Sequence, residues 1–259
     1  MGRLLKLSVI IPVYNERENI APTAAGIVAV LGEQAAGTEI LFVDDDSPDG
    51  TAAEIVEVGR MIPQVRLVQH GRKEGIGAAH NCGYQAAKGR LIFCMDADLS
   101  QSPADLVRFK HALDSGSDVV IGSRYLDGGA QSGKSLARDY GSRGMNIATH
   151  FLLGIPLTDA THTFRAFRRE VFQKIGTCLN DKGHPGFQIQ FIFFAIRYGF
   201  RVTEIPVQFV ERRPDRGVSK LSIRREIPGF AKVIGRLLAA RLRLALLPNP
   251  RPPETSGLH

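Results

Sequence analysis

Cysteine is scarce in this chain of 259 residues, which has only Cys82, Cys94 and Cys178. An odd and widely spaced set of three provides neither a disulfide framework nor the paired spacing of a zinc site. A small domain held together by disulfide bonds or by a structural zinc ion is therefore excluded. We interpret the three thiols as reduced and mostly buried, which fits a protein of the cytosol.

Long apolar runs without charge are also missing. The best candidate for a membrane-spanning segment, residues 237–247, carries Arg241 and Arg243 and falls short of the roughly 18 apolar residues that a span needs. The apolar run near the N-terminus meets Asn15 and Glu16 too early for a signal peptide. We therefore predict neither a spanning helix nor a secretory leader.

The nucleotide-binding pattern G-x-G-x-x-G does not follow the first predicted strand, which disfavours a dinucleotide-dependent oxidoreductase. We also expect no P-loop, which disfavours an ATPase. A glycine-containing turn does occur later, at residues 74–77. Two interpretations of this turn stay open: it shapes the pocket for a nucleotide base, or it is a bare turn.

The first half of the chain alternates apolar, β-branched runs with segments of helical periodicity. The apolar runs are continuous rather than alternating, as expected for parallel strands covered on both faces. We predict an α/β fold built on an open, Rossmann-like, mostly parallel sheet with helices on both faces. The predicted strands cover residues 7–13, 39–44, 65–69, 91–95 and 118–122.

The second half of the chain does not continue this regular alternation. A loop rich in glycine and serine, DGGAQSGKS, precedes a helix predicted over residues 142–153. A strand in TFRAF, an apolar helix in GFQIQFIFFAIRYG and strands in RVTEIPVQFV follow. We predict a main domain over residues 1–222, a basic amphipathic helix over 223–247 and a disordered tail over 248–259.

The net charge of +7 is concentrated near the C-terminus. Residues 211–251 contain eleven Arg and Lys against three acidic residues, so the rest of the chain is close to neutral. This distribution indicates an anionic partner at one end of the molecule rather than a chain-wide nucleic-acid surface. No aromatic stacking pattern accompanies the basic segment, so nucleic acid is not a predicted partner.

The predicted C-terminal helix has a basic stripe, and its apolar residues cluster on the other side, where Arg241 intrudes. Two interpretations stay open. The helix lies on an anionic membrane surface, or it packs on the main domain with its basic side in water. The stripe consists of Arg225, Lys232, Arg236 and Arg243.

Acidic residues follow three of the predicted strands. Glu16 follows the first strand, Asp44, Asp45 and Asp46 end the second, and Asp96 and Asp98 follow the fourth. In an open parallel sheet, ligands bind beyond these carboxyl ends. Crowded carboxylates repel one another unless a cation neutralises them. Hard oxygen ligands suit Mg²⁺ or Mn²⁺, so we predict that Asp96 and Asp98 bind such an ion together with a diphosphate.

These residues resemble the family 2 glycosyltransferases, and within them the polyprenol-phosphate mannosyltransferases. The resemblance spans about residues 7 to 221 and implies a GT-A fold. It also implies an inverting, metal-dependent transfer of mannose from GDP-mannose to a polyprenyl phosphate, which yields polyprenyl β-D-mannosyl phosphate and GDP. The stretches that carry it are SVIIPVYNERENI, EILFVDDDSPDGT, MDADLS, VVIGSRY, TFRAF and FVERRPDRGVSKLS.

By position, the resemblance assigns site residues. Asp98, Arg124 and Lys220 are the predicted catalytic residues, and Arg124, Arg212 and Lys220 would bind phosphates, with Arg138 and Arg143 as further candidates. The residues implied in binding the nucleotide sugar are Pro12, Tyr14, Glu16, Val43, Asp45, Asp96, Ala97, Asp98, Arg124, Arg212 and Lys220.

The chain departs from the family pattern in several places. Ser100 and Gln101 stand where some relatives place a further metal ligand directly after DADL, so more water is expected around the metal. Two extra residues in ERRPDRGVSK make Arg216 an alternative to Arg212. On the acceptor side, the usual D-x-T-S-G-F reads Asp159-Ala-Thr-His-Thr-Phe164, and the usual FQ-x-E ends in Gln190.

Three functions therefore remain in competition. The first is mannosyl transfer from GDP-mannose to a lipid phosphate. The second is the same chemistry with UDP-glucose or another nucleotide sugar. The third is a non-catalytic subunit that binds a nucleotide sugar and recruits a membrane-protein partner. All three place the protein at the cytoplasmic face of a membrane as a peripheral component.

Overall fold

The computed structural model describes residues 6–71, 74–133, 136–180, 183–184, 186–210 and 223–245. Predictions that concern residues 211–222 and 246–259 lie outside this part of the chain. They include Arg212, Arg216, Lys220 and the disordered tail. The side chains of Arg138 and Arg225 lie outside it as well.

The first half of the chain alternates strands and helices. Its elements are β1 (Leu7–Val13), α1 (Arg17–Leu31), β2 (Thr38–Asp44), α2 (Thr51–Met61), β3 (Val65–Gln69), α3 (Ile76–Ala86), β4 (Leu91–Cys94), α4 (Asp105–Asp114) and β5 (Val119–Ser123).

The second half has shorter strands and longer connections. Its elements are β6 (Ala130–Ser132), α5 (Leu136–Ala148), β7 (Arg165–Arg168), α6 (Arg169–Ile175), α7 (Phe187–Arg197), β8 (Val202–Pro206), β9 (Gln208–Val210) and α8 (Ile223–Ala245).

A seven-stranded sheet in the order β3-β2-β1-β4-β7-β5-β8 forms the centre of the molecule. Its described strand pairs are parallel except those of β7, which runs antiparallel to both β4 and β5. A second, two-stranded sheet pairs β6 with β9. The prediction of a mostly parallel α/β sheet is confirmed.

The strands are apolar on both faces because helices cover both faces. In β2, Leu41 and Val43 belong to one core cluster and Ile40 and Phe42 to the other. All four side chains are fully buried. Continuous apolar runs are therefore what this sheet requires, and the five predicted strands agree with the structure to within one residue at each end.

The helix predicted over residues 142–153 is only partly right. The α-helix α5 begins earlier, at Leu136, and ends at Ala148. A π-helical turn over Thr149–Leu153 continues it, and Gly154, with φ +66°, ends it. The predicted end at residue 153 therefore coincides with the end of the π-helical turn, and the prediction is wrong only about where the helix starts.

The C-terminal helix α8 packs on the main domain through its apolar side. Val233, Ile234 and Leu237 are buried and join the core cluster that covers α7. Arg241, which interrupts the apolar side in the sequence, donates from Nη1 to the Leu152 carbonyl oxygen at 2.7 Å. Where the side chains of α8 are described, its apolar side thus packs on protein, while Lys232 and Arg243 on its basic side are exposed.

The three thiols are free, and Cys94 is fully buried. Burial raises the pKa of the Cys94 thiol to about 12, so it stays protonated. In the part of the chain that the structure describes, none of the helices combines the length and the apolar character that crossing a membrane would take.

If α8 belongs to the core, Leu237→Ala should lower the free energy of unfolding by about 2–5 kcal/mol, because it leaves a cavity. Leu242→Ala is the matched control on the same helix: Leu242 is 69% exposed whereas Leu237 is 2% exposed. The control should change stability by less than about 0.5 kcal/mol. Urea denaturation measures both, and equal effects would contradict the packing.

Candidate functional site

The carboxyl edge of the large sheet brings distant polar residues together. Asp45 follows β2, Asp96 and Asp98 follow β4, and Arg124 follows β5. Because β7 runs the other way, its N-terminal end lies at this same edge and contributes Thr163. Ligands of open α/β sheets bind at such an edge, which makes it the candidate site.

Gln101 and Thr163 hold the Asp96 carboxylate. The Gln101 amide accepts from the Asp96 backbone N–H at 2.9 Å and donates to Asp96 Oδ2 at 2.8 Å. Thr163 Oγ1 lies 3.4 Å from both carboxylate oxygens. The turn also places Leu99 at φ +57° and lets Asp98 Oδ1 accept from the Ser100 N–H. Gln101 therefore orients a carboxylate, a role that the sequence prediction missed.

The Asp96 and Asp98 carboxylates concentrate negative charge in one place. Burial and the neighbouring Asp98 charge raise the pKa of Asp96 to about 7, with a smaller contribution from Glu16. A divalent cation would relieve this repulsion, and two carboxylates are a hard-oxygen donor set that suits Mg²⁺ or Mn²⁺. Among the described residues there is no cluster of three or more His, Cys, Asp or Glu that could hold a metal. The pair fits an ion that takes its remaining ligands from water and phosphate.

A second wall of the site is built from the ends of β1, β2 and β3. Pro12 and Val43, both predicted nucleoside contacts, are paired neighbours in the register of β1 and β2. Asp45 is nearly buried, and its Oδ1 lies 2.8 Å from His70 Nδ1. Glu74 lies 3.5 Å from the other nitrogen of this ring. His70 was missed, although it directly follows the third predicted strand at the same edge.

The VDDDSPDGT stretch folds around the loop that follows β1. Ser47 Oγ accepts from the Asn15 N–H and Thr51 Oγ1 accepts from the Glu16 N–H, each at 3.0 Å. Asn15 itself has φ +58°, a left-handed conformation that asparagine tolerates. The motif thereby positions Tyr14 and Glu16, both partly exposed, beside the acidic wall.

On the opposite side of the site, Arg124 and Asp159 form a buried, bidentate ion pair. Arg124 Nε lies 2.7 Å from Asp159 Oδ2 and Nη2 lies 2.8 Å from Oδ1. Burial alone would raise the pKa of Asp159, but hydrogen bonds and charge from Arg124 hold it below its ordinary value. Burial likewise opposes the charge on Arg124, yet Asp159 keeps the Arg124 pKa above its ordinary value.

Further groups complete this ion pair. Asn146 Nδ2 donates to Asp159 Oδ1 at 3.3 Å, and Arg124 Nη2 approaches Ser142 Oγ at 3.3 Å. The predicted phosphate role of Arg124 therefore belongs to a guanidinium already oriented by a carboxylate. Sequence reasoning noted Asp159 as part of a motif but gave it no role.

The altered acceptor-side motifs lie in the interior. His162 Nδ1 is 2.6 Å from the Gly122 carbonyl oxygen, and burial lowers the His162 pKa to about 3, so the ring is neutral. Gln190 is buried in α7, where its Oε1 accepts from the Asn180 N–H at 3.2 Å. Arg143, a candidate phosphate ligand, is exposed and bound to Asp139 at 2.8 Å.

Residues 128–135 spell G-x-x-x-x-G-K-S, the P-loop pattern, so the expectation that the chain lacks this pattern is wrong. A P-loop connects a buried strand to a helix. Here Ala130–Ser132 form β6 itself, an exposed or partly exposed strand paired with β9. The pattern does not have the structural context of a nucleotide-binding P-loop.

Known structures share this fold. Glucosyl-3-phosphoglycerate synthase of Mycobacterium tuberculosis, solved with Mn²⁺, UDP and phosphoglyceric acid, superimposes with a TM-score of 0.62 at 15% identity, covering 95% of this chain and 80% of that one. The mannosyltransferase PcManGT of Pyrobaculum calidifontis, solved with GDP-Man and Mn²⁺, gives 0.58 at 23% identity, covering 93% and 70%. The fold is that of the GT-A glycosyltransferases.

Sequence comparison shows which family of glycosyltransferases the chain belongs to. The model of Glycosyl transferase family 2 matches residues 8–176. Polyprenol monophosphomannose synthase of Mycolicibacterium smegmatis is 41% identical over 218 residues, which cover 83% of this chain and 80% of that protein. Undecaprenyl-phosphate mannosyltransferase of Micrococcus luteus is 33% identical over 222 residues, which cover 84% and 88%. The chain belongs to glycosyl transferase family 2 and is an enzyme of that class, as the sequence motifs predicted.

We expect Asp159→Asn to lower the free energy of unfolding at pH 7 by about 3 kcal/mol, because it leaves the Arg124 charge buried without its partner. The folded-state pKa of Asp159 is depressed, so the pair stabilises the fold fully above the unfolded value of 3.8 and progressively less as pH falls through the lower folded value. The difference between wild type and variant should therefore shrink in acid.

Urea denaturation between neutral and acidic pH measures this difference. Glu57→Gln provides the control, since Glu57 is 57% exposed in its pair with Arg60 and should contribute little at any pH. If the difference in the free energy of unfolding between wild type and Asp159→Asn stays constant down to the lowest pH measured, the ion pair is not its source.

Proposed function

We propose that the protein transfers mannose from GDP-mannose to a polyprenyl phosphate, with inversion and with Mg²⁺ or Mn²⁺, giving polyprenyl β-D-mannosyl phosphate and GDP. The observation that carries this proposal is the Asp96–Asp98 pair facing the buried Arg124–Asp159 pair at one sheet edge. The names of the Mycolicibacterium and Micrococcus relatives support the lipid acceptor and the sugar. The GDP-Man and Mn²⁺ bound by PcManGT support the donor and the metal.

In this proposal the donor lies along the first three strands. Pro12, Tyr14, Glu16, Val43 and Asp45 hold the nucleoside, with His70 fixing the Asp45 carboxylate at 2.8 Å. Asp96, Ala97 and Asp98 face the diphosphate. Asp96 and Asp98 would hold the metal ion, which would neutralise charge on the leaving diphosphate.

The acceptor brings its own nucleophile. A phosphate monoester is already ionised near neutral pH, so the site needs no general base to remove a proton. An acceptor phosphate oxygen forms a bond to the anomeric carbon while the bond from that carbon to the diphosphate oxygen breaks. GDP leaves with the bonding electrons, and one displacement inverts the configuration.

The chain's residues then have two tasks, to align two anions and to offset their repulsion. Gln101 and Thr163 fix Asp96, and Asp159 fixes Arg124. Arg124, whose charge Asp159 balances, presents an oriented guanidinium on the acceptor side. Arg212 or Arg216, together with Lys220, complete the phosphate contacts in this proposal; they lie outside the described residues.

We expect Asp98→Asn to reduce sugar transfer by at least about a hundredfold, because the neutral amide binds the metal ion and the diphosphate less tightly than the carboxylate does. Radiolabelled transfer from GDP-mannose into polyprenyl phosphate measures the rate, and calorimetric titration with GDP and Mn²⁺ measures binding. Asp114→Asn is the control: Asp114 pairs with Lys110 at 2.5 Å on an exposed helix surface. Transfer by the Asp98→Asn variant at the wild-type rate would contradict the assignment of Asp98 as a catalytic, metal-binding residue.

The same assay separates the competing functions. Transfer from UDP-glucose but not from GDP-mannose would select the alternative donor, as the UDP bound to the M. tuberculosis protein illustrates. Nucleotide-sugar binding without transfer to any lipid would select the non-catalytic subunit that recruits a membrane-protein partner. Retention of Asp96 and Asp98 as an oriented acidic pair favours the catalytic reading.

The proposal also places the protein peripherally on the cytoplasmic face of a membrane, where its lipid substrate resides. Since the apolar side of α8 packs in the core, its basic side is the part available for an anionic lipid surface. Attachment through this helix is therefore electrostatic, not by insertion of its apolar side.

Reversing the charge of Lys232, Arg236 and Arg243 together should weaken binding to phosphatidylglycerol-containing vesicles by at least about a hundredfold, because loss of the three positive charges alone costs roughly 1 kcal/mol each. Wild-type binding should also fall as salt rises. Vesicle flotation measures both. A matched triple reversal at Arg60, Arg108 and Lys110, on α2 and α4, is the control. Equal losses in the two triple variants would show that net charge, not α8, drives the attachment.

A further inference from the structure

A cavity of about 420 Å³ opens at the edge of the large sheet opposite the reaction site. It lies where β1 and β4 begin and where β7, which runs the other way, ends. Small-molecule sites have volumes of roughly 300–1,000 Å³, so the cavity is large enough for a ligand. Among the described residues, none that is assigned to sugar transfer lines it.

Hydrogen bonds between neighbouring strands fix the backbone beneath three basic residues of this cavity. The Leu91 N–H donates to the Lys6 carbonyl oxygen at 3.0 Å, and the Arg169 N–H donates to the Arg90 carbonyl oxygen at 2.9 Å. Lys6, Arg90 and Arg169 thus stand at the ends of the adjacent strands β1, β4 and β7, each about 5 Å from the next. Their side chains line the same cavity from a rigid sheet edge.

Positive charge exceeds negative charge around the cavity. In its described lining, the acidic residues are Asp114 and Glu170. The basic residues are Lys6, Arg90, Lys110, Arg168 and Arg169.

Two of these basic residues are already engaged within the chain. Lys110 pairs with Asp114 at 2.5 Å. Arg168 donates from Nη2 to the Leu113 carbonyl oxygen at 2.6 Å, and its Nε lies 3.5 Å from Asp118. These contacts shape the wall of the cavity and leave the other three basic residues to face a ligand.

Lys6 and Arg90 are exposed, and within the described part of the chain neither has an acidic partner at ion-pair distance. Arg169 donates to the Lys88 carbonyl oxygen at 3.3 Å, a neutral acceptor that leaves its charge uncompensated. Three positive charges therefore remain against Glu170, so the cavity favours an anion. Guanidinium groups present paired N–H donors that match the oxygens of a phosphate.

We propose that this cavity binds a water-soluble anion with two phosphoryl groups, at a site separate from the reaction site. Its three cations are spread over about 10 Å of the sheet edge, which two linked anionic groups match better than one. Binding at the cavity does not depend on the proposed function. The choice of a soluble ligand over a lipid head group does rest on it, because it places the lipid acceptor at the opposite edge.

Calorimetric titration of the full chain with pyrophosphate, in EDTA so that no metal ion takes part, tests the proposal. Lys6→Gln/Arg90→Gln should weaken pyrophosphate binding at least about tenfold, because two charge-assisted contacts are lost. Arg60→Gln/Lys232→Gln is the matched control, since it removes one Arg and one Lys from exposed positions outside the cavity. The control should leave the affinity within about twofold of wild type.

Inorganic phosphate should bind wild type at least about tenfold more weakly than pyrophosphate, because one phosphoryl group makes fewer of the contacts. Absence of pyrophosphate binding, equal weakening by the two double variants, or equal affinities for phosphate and pyrophosphate would each overturn the proposal. If wild type does not transfer sugar but its pyrophosphate binding still depends on Lys6 and Arg90, only the proposed function fails.

Vesicle flotation separates a free anion from a lipid head group. Lys6→Gln/Arg90→Gln should bind phosphatidylglycerol-containing vesicles as wild type does, and it should retain the wild-type affinity for GDP with Mn²⁺. Weaker vesicle binding by this variant would assign the cavity to lipid head groups and overturn the proposal of a soluble ligand.

Discussion

The repulsion between two carboxylates at the end of a buried strand is the constraint around which this site is organised. Asp96 and Asp98 stand one residue apart where β4 ends, and the protein raises the pKa of Asp96 to about 7 by partly burying it beside its neighbour. Gln101 and Thr163 prevent the Asp96 carboxylate from turning away. Such an arrangement costs free energy in the empty protein and is relieved by a cation, so it favours ligands that arrive with a metal ion.

On the other side of the site, opposite charges are paired instead of like charges. Arg124 and Asp159 neutralise each other inside the protein, and hydrogen bonds from neighbouring polar groups satisfy the pair. One wall therefore attracts a cation, while the other presents a guanidinium in a fixed orientation. A reaction between two phosphate-bearing substrates needs both conditions, because the negative charge of one substrate must be tolerated while the other approaches.

Much of the fold, and the acidic residues of the candidate site, could be predicted from sequence, because both follow from local patterns. Continuous apolar runs identify buried parallel strands, and acids that follow them identify Asp96 and Asp98. The partners Gln101, His70 and Asp159 act through contacts between segments far apart in the chain, which periodicity does not report. Sequence alone also left open whether the apolar side of α8 contacts membrane or protein, since such a side fits either. The burial of Leu237 shows that it packs on protein.

The reversed direction of β7 has a wider consequence. In a wholly parallel sheet, the edge that binds ligands receives only segments that leave strands. Here the segment from Asp159 to Thr163 reaches that edge before entering its strand, between β4 and β5. One short stretch thus touches the metal-side carboxylate through Thr163 and anchors the guanidinium through Asp159. In the proposed function, the donor and acceptor halves meet in these five consecutive residues, so a change of acceptor can be encoded there without rebuilding the nucleotide half.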